Sequence, residues 1–287
     1  MPTTSSPTVK RRRLAAELHA ARERAELTID DVAQQLEWSA AKISRIENAR
    51  VRVLARDVKH LLRIYQVKEG SPDWDILVTL AREAHQKGWW DPYGDAMGES
   101  FRTYVGLEAS AATLRTYESE CVPGLLQTED YARAVIRSAL SARTDEDINK
   151  NVAVRMARQS LLTQDQPSEL WAVVNEAGIR RLVGGAAVMR AQLDRLLEAS
   201  HQPNVTFQVM PFNVGAHAGM AGAFTILSFA EPADPEVIYV NYSSGSLFPE
   251  KPEELSRCTL IFNHLRAAAL STGQSRELIA RIRIELA

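Results

Sequence analysis

The sequence predicts an α+β protein, with an all-α N-terminal domain followed by a larger, mixed α/β C-terminal domain. Three observations point there. The 287 residues, 45% hydrophobic and 24% charged, suffice for two buried cores at roughly 100–200 residues per domain. Apolar residues recur at helical spacing through the first quarter of the chain, whereas strand-length apolar runs alternate with helical stripes further on. Charge divides in the same place: residues 1–70 carry 14 Lys and Arg against 9 Asp and Glu, and the remainder carries 20 against 27. A basic head on an acidic body fits a nucleic-acid-binding segment joined to one that does not bind nucleic acid; a solvated helical surface accounts for the same counts.

Residues 1–8, with Pro2 and Pro7 among Ser and Thr, are expected to form a disordered arm. Leu14, Leu18, Ala21 and Ala25 then share one helical face. Thr28 caps a second helix with Val32, Ala33 and Leu36 inward and Asp30 and Asp31 at its positive end. Ser39 caps a short third helix anchored by Ile43 and Ile46, and a fourth spans about 56–65. Gly70, Ser71 and Pro72 read as a hinge, which divides the chain into a head, 1–71, and a body, 72–287, that opens with a linking helix over 73–88. In the body, strands are expected at 113–117, 170–174, 205–210, 224–229 and 237–240, and helices at 128–140, 145–162, 188–199, 253–269 and 275–286. Helices packed on a mixed sheet follow.

The segment 27–48, LTIDDVAQQLEWSAAKISRIEN, resembles the helix-turn-helix of Xre- and Cro-type repressors. Thr28 opens the positioning helix, Ala33 stands where a small residue lets two helices cross closely, and Ser44, Arg45, Ile46 and Glu47 match the end of the recognition helix. Such a motif lays a short helix in the major groove of double-stranded DNA, with Ala40, Ala41, Lys42, Ser44 and Arg45 toward base edges. Arg45 suits a bidentate contact to guanine; its bland alternative is a salt bridge within the protein. Helix N-terminal amides near Thr28 and Ser39, with Asn48 and Arg50, would hold phosphates. Glu37 and Ala49 stand where the family has glycine, and a non-glycine residue forced to positive φ costs on the order of 1 kcal/mol, so either strain or a locally reshaped turn is expected there. Trp38 is expected to fill core.

Motifs in the body are similar to those of the actinobacterial regulator family that includes WhiJ-like proteins: KGWWDPYGD at 87–95, VPGLLQTEDYARAV at 122–135, RMARQ at 155–159 and NVTFQVMPFNVGAHAG at 204–219. The resemblance implies a transcriptional regulator whose C-terminal domain is of uncharacterised activity, commonly encoded beside a small partner protein. Read by themselves, Trp89, Trp90 and Tyr93 either line a pocket or partner groove or form the seam between head and body. His217, in the glycine-rich run 213–222, is either a ligand contact or a structural histidine. Glu108, Glu118 and Glu120 read as solvated charges within reach of Arg102 or Arg115, while Arg155, Arg158 and Gln159 on one helix are candidates for a polar or acidic ligand. Glu176 and Arg180, at i and i+4, read as an exposed ion pair.

The glycine pattern is neither GxGxxG nor a P-loop, and Cys121 and Cys258 are too few for a cysteine-based zinc site. No cofactor or metal is therefore expected, and both cysteines read as core. A polar, then basic N-terminus and the lack of any 18-residue apolar run predict a cytoplasmic protein without a membrane span. The leading expectation is a non-enzymatic, homodimeric DNA-binding regulator whose body senses a ligand or docks a partner. The competing one is an enzymatic effector, a nuclease or nucleotide-modifying activity, with an autoregulatory DNA-binding head.

Overall fold

A computed structural model describes residues 6–139, 144–249 and 251–286, and divides the chain into two compact units, Met1–Asp91 and Pro92–Ala287. The expected arm is shorter than eight residues on the described side: Ser6 accepts a hydrogen bond from the Val9 amide and Pro7 begins a helix, so Ser6–Thr8 belong to ordered structure. Residues 1–5 lie outside the described residues.

The first unit is all helical. Helices α1 (Pro7–Arg24), α2 (Ile29–Leu36), α3 (Ala40–Glu47), α4 (Ala55–Ile64) and α5 (Pro72–Ala84) share one core built on Leu14, Leu18, Val32, Ile43, Leu61 and Trp74. Thr28 and Asp31 close a capping box at α2, and Ser39 and Ser71 cap α3 and α5. The helix expected as a linker over 73–88 is α5. Its Trp74, Leu77, Val78 and Ala81 are buried in this core, so it is part of the unit, which continues to Asp91. Its apolar stripe needs cover, and the head supplies it.

Glu26, Glu37, Ala49 and Gln66 all have φ between 56° and 58°. Each follows a helix whose last carbonyls it helps to satisfy; after α2, for example, the Trp38 amide donates to Ala33 and the Glu37 amide to Gln34. Glu37 and Ala49 thus take the positive φ instead of reshaping their turns, and Glu26 and Gln66 do the same. Substituting glycine at Glu37 or Ala49 is expected to raise the unit's unfolding free energy by about 0.5–1 kcal/mol each, since relief of side-chain strain exceeds the added chain entropy. Urea unfolding of the two variants measures it, and a loss of stability would contradict the strain.

The second unit contains a six-stranded sheet in the order β3-β2-β1-β4-β5-β6: β1 (Ala111–Glu118), β2 (Glu169–Asn175), β3 (Val205–Met210), β4 (Phe224–Phe229), β5 (Val237–Tyr242) and β6 (Gly245–Leu247). Strands β1, β2 and β3 run parallel, while β4, β5 and β6 continue antiparallel from β1. Helices α6 (Glu99–Glu108), α7 (Glu129–Ser138), α8 (Asp145–Arg158), α9 (Glu176–Arg180), α10 (Ala186–Ala199), α11 (Pro252–Ala268) and α12 (Thr272–Glu285) complete the unit. The sequence reading found all of these except β6, α6 and α9.

Alternation along β1 sorts its side chains to two faces. Tyr117 packs with Phe224, Phe262 and Leu265 under α11. Leu114, Thr116 and Glu118 face the other way, where the Thr116 and Thr225 hydroxyls meet at 3.0 Å across the β1–β4 pair. At the outer edge of β3, the connection between α11 and α12 and the first turn of α12 take over the pairing: the Leu270 amide donates to the Val209 carbonyl (2.9 Å), and the Ser275 hydroxyl accepts from the Val209 amide (2.9 Å).

Candidate functional site

Two sites emerge, one in each unit. In the first, Ile43 and Ile46 turn one side of α3 into the core and leave Ala41, Arg45 and Asn48 exposed, with Ser44 half-buried between them on the same stripe. The Arg45 guanidinium makes no salt bridge among the described residues; its Nε donates to the Ala41 carbonyl of its own helix at 3.3 Å. Asn48 turns back on the helix, its amide 2.7 Å from the Ser44 carbonyl. Ala40 is half-buried against the core, and Arg50 is exposed just beyond the helix.

Two expected contacts are placed differently. The Lys42 ammonium is drawn inward, 3.3 Å from the Asp57 carboxylate and 3.3 Å from the centre of the Trp38 ring, so it is held within the protein and does not extend toward a base. Trp38 in turn packs on the core. At Thr28, the amide and hydroxyl both donate to Asp31, at 2.8 and 2.6 Å, and these hydrogen bonds hold the Asp31 carboxyl below its usual pKa. With Asp30 and Asp31 in its first turn, α2 presents negative charge where a phosphate would approach; α3, capped by Ser39, has no acid in its first turn.

What fixes α3 from behind was not foreseen. The Glu47 side chain, 2% exposed, accepts from Arg22 Nε at 3.0 Å, from the Tyr65 hydroxyl at 2.8 Å and lies 3.1 Å from His19 Nδ1. Arg22 also donates to the Leu27 carbonyl at 2.8 Å, tying α1 to the start of the motif. The bond to Glu47 raises the Arg22 pKa, while burial and Glu47 both push the Tyr65 hydroxyl up. A signal was present: Arg22 stands four residues after the buried Leu18, and Glu47 four after the buried Ile43, which puts both charges on inward faces.

The second site is a cavity of about 430 Å³ in the second unit, at the carboxyl end of β1, where parallel pairing to β2 gives way to antiparallel pairing with β4. It is walled by α6 (Phe101, Tyr104), α8 (Arg155, Arg158), the end of β1 (Glu118) and the middle of β5 (Tyr239). Glu108, expected to be solvated, is fully buried beneath it and receives Arg158 bidentately at 2.5 and 2.6 Å and the Tyr104 hydroxyl at 2.8 Å. Burial works against the charge of Arg158, but the Glu108 carboxylate outweighs it and leaves the Arg158 pKa raised. Tyr104 stacks on Tyr239 with ring centres 3.9 Å apart.

Arg155 differs from Arg158. One nitrogen donates to Gln127 at 2.8 Å, but Nε is buried without a partner among the described residues, and burial lowers the Arg155 pKa to about 10. Glu118, also expected to be solvated, makes no hydrogen bond or salt bridge among the described residues. Burial raises its pKa to about 7, against the pull of Arg155 and Arg158. Because the folded value lies above the ordinary 4.5, the folded chain holds this proton longer than the unfolded one does. Stability is therefore expected to fall as pH rises from about 4.5 through 7, by on the order of 2–3 kcal/mol from this group. Urea unfolding at pH 5 and 8 measures the difference. Glu118→Gln should reduce it, and an unchanged difference in that variant would assign the slope elsewhere.

The remaining expected contacts lie away from the cavity lining. His217 accepts the Gly219 amide at 3.1 Å and sets its ring edge to Tyr117, which makes it the cap of a 3-10 turn, Ala218–Ala221. Trp89 and Trp90 end the first unit, meeting edge to face at 5.9 Å with Trp90 buried, whereas Tyr93 falls in the second. Glu176 is buried and accepts from Arg180 at 2.6 Å and from the Phe212 amide at 2.9 Å, so the pair expected to be exposed has an anchored carboxylate. Cys121 and Cys258 are free and half-buried, with thiols pushed up in pKa by burial.

Among the described residues, no helix is long and apolar enough to cross a membrane. Comparison with known families matches residues 13–71 to a helix-turn-helix domain and residues 101–281 to a domain of unknown function (DUF5753). No curated protein and no solved structure matches the chain. With more than half its length inside the second match, behind a helix-turn-helix head, the chain belongs to the DUF5753 family.

Proposed function

We propose that the chain is a sequence-specific, DNA-binding transcriptional regulator of the Xre kind, resembling WhiJ-like proteins, with α3 as its recognition helix. The observation that carries this reading is the exposed stripe Ala41, Ser44, Arg45 and Asn48 on a helix whose reverse side is fixed by Ile43, Ile46 and the buried Glu47. Among the described residues no acid pairs with the Arg45 guanidinium, which suits it to a guanine edge in the major groove. Arg45→Ala is expected to weaken specific binding by about 1–3 kcal/mol and relax preference at one base pair, whereas Arg50→Ala weakens binding to all sequences and flattens its salt dependence. Titrations on a selected operator and on scrambled DNA at several salt concentrations separate the two, and identical behaviour would refute the assignment.

The regulator works in the cytoplasm as a homodimer, since one head offers few base-reading side chains and two-fold proteins reach adequate specificity through half-sites about 34 Å apart. On α10 and α12 the apolar residues Leu193, Leu196, Ile279 and Ile282 are buried, while Leu260 of α11 and Ile284 of α12 remain exposed and available. The body acts by binding a ligand or a small partner protein, not by catalysis. Cys121, the thiol of the cavity, is held protonated, and Arg158 is committed to Glu108, which supports recognition over bond-making.

A further inference from the structure

We propose that the cavity at the carboxyl end of β1 binds a small zwitterion of the α-amino-acid type, its carboxylate on Arg155 and its ammonium on Glu118. This rests on the reading of the body as a ligand-binding unit and names its ligand class.

The argument begins with charges that the fold leaves unmatched. Four titratable groups approach this space, and two of them, Arg158 and Glu108, satisfy each other. The other two do not pair. Arg155 and Glu118 line the same cavity and feel each other's charge, yet no Arg155 nitrogen comes within 4.0 Å of the Glu118 carboxylate, and Arg155 Nε has no acceptor among the described residues. An arginine and a carboxyl left unpaired in a half-buried space are costly when a shift of side chains could join them. Arg155 is held apart by its bond to Gln127. A ligand with an anionic and a cationic end, a few bonds apart, completes both at once.

An anion alone would satisfy Arg155 and leave Glu118 facing it, and an amine alone would leave Arg155 unmatched. The remaining walls suit a carbon side chain, with Phe101 and Tyr239 supplying ring surfaces and Val135 and Ile136 aliphatic ones. The volume of about 430 Å³ admits an amino acid with a large side chain.

The test uses the full chain without DNA, so that it is independent of the operator titrations. The common amino acids are screened by thermal unfolding and titration calorimetry, and each binder is compared with its deaminated acid and decarboxylated amine. At least one amino acid is expected to bind, with both analogues at least about tenfold weaker. Arg155→Met and Glu118→Gln are each expected to weaken binding by a similar factor while the unliganded melting temperature holds or rises, because a desolvated charge has been removed. The proposal is overturned if no amino acid binds, if the deaminated acid binds as tightly as its parent, or if both variants keep full affinity. A drop of several degrees in both unliganded variants also overturns it, by showing the pair to be structural. If binding fails while Arg45→Ala still weakens operator binding, this ligand class falls and the DNA-binding reading stands.

Discussion

Replacing Glu47 with alanine is expected to destabilise the first unit by about 3–5 kcal/mol and to weaken operator binding beyond detection, although Glu47 lies on the inner side of α3. The change strands Arg22, 9% exposed, as an uncompensated cation in the core, and takes the acceptor from the Tyr65 hydroxyl. Three helices lose their common point, because Arg22 is on α1, Glu47 ends α3 and Tyr65 follows α4. A second variant separates lost stability from lost polarity. Glu47→Leu combined with Arg22→Met removes both charges and should recover much of the stability. Urea unfolding of the full chain, with operator binding measured under the same conditions, decides; a loss below about 1 kcal/mol in Glu47→Ala would mean that the cluster is not what orders α3.

An effect of similar size is expected in the second unit. Arg158→Ala removes the bidentate partner of Glu108, which has no exposed surface, and leaves the carboxylate with the Tyr104 hydroxyl alone. About 3–5 kcal/mol should be lost, because a buried carboxylate is left without its cation. Urea unfolding of the full chain measures the loss, and a deficit below about 1 kcal/mol would show that Glu108 has other support.

The head was legible because its information is local. Thr28 and Ser39 cap the helices that follow them, Ile43 and Ile46 keep helical spacing, and Glu37 and Ala49 stand at helix ends where the family has glycine. The cavity was not legible as a unit. Arg155 and Arg158 were recognisable as neighbours on one helical face, but Glu108 meets Arg158 from fifty residues away. Nothing near either residue marks the pairing. Glu118 looked solvated because it ends a strand; it is half-buried in a cavity that α6 and α8 help to wall, and α6 escaped notice because Val105 and Gly106 interrupt an otherwise helical pattern. Strand β6, three residues long, is too short for alternation to show.

The partner of the outward Val209 amide is Ser275, sixty-six residues further along the chain. During synthesis at about 5–20 residues per second, β3 therefore leaves the ribosome roughly 3–13 seconds before the residues that close its outer edge. In that interval β3 presents open backbone groups on one side, a template on which a strand from a neighbouring nascent chain can pair. The connection between α11 and α12 is thus a late latch, and the sheet becomes safe from intermolecular pairing only when nearly the whole body has been made.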